Sequence, residues 1–251
     1  MNKIRVIDNK ILDEVKDINV TLNDDVLIIE PKMDVSLELN LENIKKVVVN
    51  IPLNIHFEMF ELSDKDIDIQ YEYNLDKNSA LKIVKFYDVS KVEEQDIINL
   101  NGECASVEYN LKTIAKNLQN YHLKINHLKP NTISNIKNSG VNIDGAINFT
   151  VEGVIPNGSS NSETNQNNRI ITFNDNVCKI DPILLIDEND VVANHSALIG
   201  KFSEDELFYL ESRGIDYDSA VKLLVKGFLL DGINDERVIE KIDKYWRWLN
   251  E

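Results

Sequence analysis

The chain carries only two cysteines in 251 residues, Cys104 and Cys178. Two are too few for a disulfide framework, and without a C-x-x-C spacing they make no zinc motif of their own, so free thiols are expected. Basic residues are also scarce: 27 Lys and Arg stand against 43 Asp and Glu, a formal charge of −16. Nucleic acid and anionic membranes reward clustered Lys and Arg, so neither is expected as a partner. No stretch of about 18 apolar residues is present, and Met1 to Asp24 mixes charges throughout without the apolar segment of a signal peptide. The expectation is a cytoplasmic protein. No G-x-x-x-x-G-K-[ST] loop occurs, which excludes ATP binding by that motif. Nor do carboxylates converge as glycosidase chemistry requires, since Asp64, Asp66 and Asp68 alternate with other residues and read as a solvated strand face.

What is present is enough apolar material, 43% of the residues, for a sizeable core in one large domain or two small ones. From Leu27 onward apolar and polar residues alternate with period two, the pattern of strands with one buried face. Val35, Leu37, Leu39 and Leu41 form one row; Leu53, Ile55, Phe57 and Met59 another; Ile67, Ile69, Tyr71 and Tyr73 a third. Val107, Tyr109 and Leu111 follow, then Tyr121, Leu123, Ile125 and His127, and then Val141, Ile143, Ile147, Phe149 and Val151. Turn-forming Asn, Asp, Gly and Ser cluster between rows. A sandwich, a barrel or a β-solenoid would all fit, and no repeat in the sequence decides among them. The polar run from Asn157 to Asn168 reads by composition as a loop.

After Gly200 the period becomes helical. Ser203 and Glu206 form a capping box, and Gly214 suits a left-handed helix end. Asp216 can cap a second helix bearing Ala220, Val221, Leu223, Leu224 and Phe228. A third is expected from Asn234 or Asp235, with Val238, Ile239, Ile242, Tyr245, Trp246 and Leu249 on one stripe.

Two blocks carry a signature. Asn189 to Gly232 places Asp190, Val191, His195, Ala197 and Gly200 before an L-F-Y-L-x-S-R-G-I turn from Leu207 to Ile215, then Ala220, Leu223, Leu224, Gly227 and Phe228. Upstream, His127, Pro130, Thr132, Ser134, Gly140 and Val141 fit an H-x-x-P-x-T-x-S pattern ending in G-V. These blocks resemble the SufB/SufD family of SUF-type iron-sulfur cluster assembly proteins. The resemblance implies a mainly β fold, a right-handed parallel β-helix over residues 1–200, with a small α-helical domain over 201–251. It also implies a non-enzymatic scaffold that pairs with a second chain of its own kind or a paralogue, and that carries a SufC-like ABC-type ATPase on its helical domain.

By that resemblance His195 lies where two β-helices meet and is a candidate iron ligand, since neutral imidazole binds iron. On residue type alone it reads as a histidine hydrogen-bonded at a strand end. Cys178 and Cys104 are the other candidate ligands of a transient iron-sulfur cluster, although free cysteines are more often buried small residues. Ala193 stands where a family cysteine is expected, and Asn167 near the position of a functional cysteine of the SufB branch. In the family, the neighbourhood of that polar run holds a strand leading to the dimer region. Phe208, Tyr209, Arg213, Gly214, Ala220, Leu224 and Phe228 are the candidate ATPase-docking residues, or else pack the helices onto the β-helix. His127 falls at an inward phase and reads as a core histidine; His56 and His122 carry no motif. A polysaccharide-binding β-solenoid and a structural adaptor for an ABC ATPase without a cluster of its own are the rival readings.

Overall fold

In the computed structural model the described residues are 2–7 and 10–248, the last four without their side chains. The strands are β1 (Asn2–Ile7), β2 (Lys10–Ile11), β3 (Ile18–Asn23), β4 (Val26–Pro31), β5 (Val35–Leu41), β6 (Lys46–Ile51), β7 (His56–Ser63), β8 (Ile67–Leu75), β9 (Ala80–Val89) and β10 (Val92–Leu100). They continue through β11 (Ser106–Ala115), β12 (Leu118–His127), β13 (Ile133–Asn142), β14 (Ala146–Ile155), β15 (Ser162–Thr172), β16 (Lys179–Ile186) and β17 (Val191–Gly200). Odd strands from β5 to β17 stack as one parallel sheet and even strands from β4 to β16 as another. The chain passes from one sheet to the other at every step, so the fold is a parallel β-solenoid of about 6 turns. The helices are α1 (Glu204–Glu211), α2 (Tyr217–Leu230) and α3 (Glu236–Trp248).

The apolar rows become inward columns because parallel in-register pairing keeps register partners on the same face. One column runs Leu37, Met59, Ile83, Tyr109, Ile136, Gln166, His195, each residue the partner of the next. The coil length drifts along it. Register partners advance by 22 residues from Val35 to Phe57, 24 from His56 to Ala80, 26 from Ala80 to Ser106, 27 from Ser106 to Ile133 and 30 from Ile133 to Glu163. A period that changes with every turn leaves no repeat in the sequence.

Corners are held by stacked left-handed residues. Asn54, Asn78, Cys104, Asn131 and Asn161 occupy one corner column with φ between 54° and 62°, and each backbone N–H donates to a carbonyl of the following coil. Asparagine tolerates this conformation through local hydrogen bonding; cysteine has no such means. Gly102, in the turn before Cys104, packs so close to the coil below that an added Cβ would lie 1.9 Å from the Lys77 nitrogen.

Residues 162–168, within the polar run that composition assigns to a loop, form a strand instead. They begin β15, and their polar side chains find partners of the same kind one coil below: Asn165 donates to Asn135 at 3.1 Å, Asn168 receives from Asn138 at 2.7 Å, and Ser134 donates to Thr164 at 2.8 Å. Each ladder bond contributes about 1 kcal/mol and removes the cost of burying the amide or hydroxyl. Asn50, Asn74, Asn99 and Asn126 make a similar ladder on the even sheet, with links of 2.8 to 3.1 Å.

The helices cover the outer face of the odd sheet. Phe60, Phe86, Ile114, Val141 and Ile171 project outward there and pack with Val221, Val225, Leu229, Val238 and Ile242. Both faces of the sheet are therefore buried along this stripe, and alternation fails in runs such as Lys85, Phe86, Tyr87. The Ser203–Glu206 capping box, the Asp216 cap and left-handed Gly214 (φ 85°) form as the residue types require. The side chains of Tyr245 and Trp246, and the whole of Leu249, lie outside the described residues.

Candidate functional site

The two ends of the solenoid differ. At the N-terminal end the parallel ladders stop against antiparallel neighbours: β2 turns back on β1, and β3 turns back on β4. At the C-terminal end, among the described residues, β17 pairs in its sheet only with β15, and β16 only with β14. Their outer edges therefore present unpaired backbone N–H and C=O groups, a template for another strand. Apolar side chains crowd this edge: Leu185, Val192 and Leu198 are each 52% exposed, and Phe173 and Ile199 are exposed nearby.

His195 stands in the middle of this end. Its neighbours Asn194 and Ser196 bond outward, Asn194 to Asn165 at 3.0 Å and Ser196 to Asn167 at 3.2 Å, so the imidazole belongs to the inward row. It is exposed, and among the described residues no further strand stacks on β17 to cover it. Directly below it in register is Gln166; two residues along the strand is Asn168, with Asn138 beneath that in the next coil, all buried. The interior just under the open end thus carries three amides, where earlier coils of the same two columns hold Ile83, Tyr109 and Ile136 in one and Lys85 and Leu111 in the other. On the outer face the asparagine ladder floors an open trough of about 550 Å³ with Lys82, Lys137 and Gly232 on its margins.

The three candidate ligands do not meet within one chain. Cys178 is buried just before β16, where its Sγ accepts from Asn142 Nδ2 at 3.2 Å and from the Ile147 N–H at 3.4 Å. Asn142 is six residues beyond Ile136, the register partner of Gln166, so Cys178 lies roughly 20 Å along the strands from His195. Cys104 is exposed at its corner, three coils below. Among the described residues no group of three or more His, Cys, Asp and Glu side chains is placed to hold a metal ion. His127 is buried, its Nδ1 2.8 Å from Thr132 Oγ1 and its Nε2 3.0 Å from Ser134 Oγ. Burial takes its pKa down to about 4, so it is a neutral core residue.

The helical candidates divide. Phe208 (70% exposed), Tyr209, Arg213 and Gly214 face outward, and Arg213 stacks on the Tyr209 ring at 5.4 Å. Ala220 is fully buried, while Leu224 and Phe228 pack toward the odd sheet. Phe228 sits between Lys112 and Arg169, whose cationic groups lie 5.8 Å and 5.4 Å from its ring centre. Tyr217 and Leu223, which the sequence reading did not single out as partner residues, extend the exposed apolar patch.

A buried charged cluster in the lower coils escaped the sequence reading altogether. Lys85 Nζ lies 2.8 Å from Asp96 Oδ2 and 3.0 Å from Glu94 Oε1, and Tyr71 donates to Glu61 at 2.6 Å. Burial, then Asp96, push the Glu94 carboxyl up to about 8 against the pull of Lys85. Burial works against the Lys85 charge, yet Asp96, Glu94 and Glu61 hold its pKa above the ordinary lysine range.

The SufBD core domain of the SUF system for FeS cluster assembly matches residues 61–228, from within β7 to the last turn of α2. The chain belongs to the SufB/SufD family. Among its relatives, the iron-sulfur cluster assembly protein SufD of Bacillus subtilis is 35% identical over 128 residues, 50% of this chain and 29% of that protein. SufB of the same organism is 31% identical over 109 residues, 42% of this chain and 23% of SufB. A SufBD family protein of Pyrococcus horikoshii is 46% identical over 61 residues, 23% of this chain and 13% of that protein. The matched stretches thus cover less than a third of each relative's length. Among the described residues no helix is long and apolar enough to cross a membrane.

Proposed function

We propose that this SufB/SufD-family chain is a scaffold, not a catalyst, that pairs through the open end of its solenoid with a second chain of its own kind or a paralogue, and that iron-sulfur cluster assembly takes place at the contact. The observation that carries this reading is the asymmetry of the ends: the N-terminal ladders stop at antiparallel strands, whereas the C-terminal edge is bare, apolar at its rim, and carries His195 at its centre. A parallel β-sheet edge of this kind costs unpaired backbone groups unless another chain covers it. The separation of His195, Cys178 and Cys104 within one chain supports a cluster that takes donors from the second chain as well.

The 201–251 segment is the platform for a SufC-like ABC ATPase. Its supporting feature is the exposed patch of Phe208, Tyr209, Arg213, Tyr217 and Leu223, on the side of α1 and α2 turned away from the solenoid. Nucleotide-driven closure of two such ATPases would move the two solenoids relative to each other, provided the ATPases contact them differently in the two states. The chain works in the cytoplasm, where its two thiols stay reduced.

Anaerobic reconstitution with ferrous iron and sulfide tests the cluster. Wild-type complex should develop the absorption of an iron-sulfur cluster, and His195→Ala should reduce it most, with Cys104→Ser and Cys178→Ser assigning any thiolate contribution. A full cluster in all three variants would remove these residues from the site. The absence of a convergent ligand set among the described residues favours one second reading, an ATPase adaptor that supports a cluster held by its paralogue. Wild-type protein that binds the ATPase and never takes up a cluster would establish that reading instead.

A further inference from the structure

The amide lining beneath His195 contains a physical anomaly. Gln166 is 3% exposed, its Nε2 makes one long contact of 3.5 Å to the Ile183 carbonyl, and its Oε1 has no hydrogen-bond partner. Asn138, also 3% exposed, donates to Asn168 and leaves its own Oδ1 without a partner. A buried amide oxygen without a donor costs about 1 to 3 kcal/mol, and an apolar residue of similar volume would avoid that cost. Room has nonetheless been kept for the Gln166 amide: a Cβ on Gly153, across the interior, would come within 3.2 Å of its Nε2.

The position of Gln166 gives the anomaly a direction. It is the register partner of His195, one strand spacing away, about 4.8 Å, on the same inward face. Among the described residues no strand pairs beyond β17, so imidazole and amide share one opening at the solenoid end. An imidazole nitrogen and a carbonyl oxygen at that spacing suit a divalent first-row cation, which takes mixed nitrogen and oxygen donors.

We propose that Gln166 supplies its amide oxygen as a second donor to ferrous iron held by His195, with the unpartnered Asn138 oxygen lying deeper, one coil further down and two residues along the strand. The inference rests on the reading of His195 as an iron ligand and deepens it. Gln166 then fixes where the ion enters, at the rim of the interior and not on the outer trough. The otherwise unpaired amide becomes a preorganised donor.

Anaerobic titration of ferrous iron into the full chain, followed by calorimetry, together with thermal unfolding, separates the outcomes. Gln166→Leu should weaken iron binding at least tenfold while leaving the thermal midpoint unchanged or raised, because the unpaired amide is gone. Gln166→Glu should retain or strengthen binding by keeping an oxygen at that place, and Gln166→Met is the second apolar variant should the leucine fail to fold. Iron binding unchanged in the apolar variants but lost in His195→Ala would overturn the role of Gln166 and leave His195 standing. Wild-type protein that binds no iron would overturn both.

Discussion

Arg237 and Glu38 form a two-point ion pair, Nη1 to Oε1 at 2.8 Å and Nη2 to Oε2 at 3.0 Å, across 199 residues of chain. Glu38 projects from β5 and Arg237 from the first turn of α3, so the pair ties the last helix to an early coil. The Arg237 hydrogen bond, outweighing burial, holds the Glu38 carboxyl below the usual carboxylate range. Arg237 is also fixed by Asp235 at 2.6 Å and lies over Phe60. Arg237→Ala should therefore cost about 1 kcal/mol, reduced from the buried-pair range because the arginine remains partly exposed. Amide exchange of α3 should quicken while that of β9 to β14 stays the same; equal quickening throughout would show that the pair holds more than the helix.

The Glu94 and Lys85 cluster makes stability fall as pH rises past neutrality. Glu94 has its proton affinity raised in the fold, to about 8 from 4.5, so the folded chain holds a proton that the unfolded chain has released between those values. That contribution is complete below pH 4.5 and is lost as pH climbs through 8. Glu61, raised chiefly by burial, acts in the same direction. His127 acts in the opposite sense, because the fold keeps it neutral down to about 4 while the unfolded residue takes a proton at 6.5. Its contribution is lost as pH falls from 6.5 to 4. Thermal midpoints should decline from pH 6.5 to 8 in the wild type and decline less in Glu94→Gln. Identical slopes in the two proteins would contradict this account of the cluster.

Two helix substitutions should part stability from partner binding. Leu229→Ala removes a fully buried side chain from the layer between α2 and the odd sheet and should cost about 2 to 5 kcal/mol. Phe208→Ser with Leu223→Ser touches exposed residues and should change stability by about 0.5 kcal/mol or less. The double variant should nevertheless lose the co-purifying ABC ATPase. Retention of the ATPase by a folded double variant would move the docking surface elsewhere.

The strand rows were legible because each alternates against solvent, and the helix caps because Ser203, Glu206, Asp216 and Gly214 act within one turn. The solenoid itself was legible only through resemblance, since coils of 22 to 30 residues leave no fixed period. Composition misread residues 162–168, because serine, threonine and asparagine look like loop until a coil below offers them partners. Glu94 and Asp96 share an inward row with Val92, Ile98 and Leu100, where two carboxylates interrupt the apolar signal. Their partner Lys85, six residues before Lys91, is brought to them only by folding. Phe86, Ile114, Val141 and Ile171 break alternation for a tertiary reason, the helical layer over the sheet. At the proposed site, the motif singled out His195 as a candidate, and only the register places Gln166 beneath it.

The central claim is that the bare edge at β16 and β17 is where a second chain of this family pairs. The most direct measurement is hydrogen–deuterium exchange of the chain alone and in the complex purified with its ABC ATPase and any second SufB/SufD-type chain of the same genome. The account predicts strong slowing across 191–200 and 179–186 in the complex, with the N-terminal strands β1 to β4 unchanged. A complex that forms while both C-terminal strands exchange as they do in the isolated chain would contradict it.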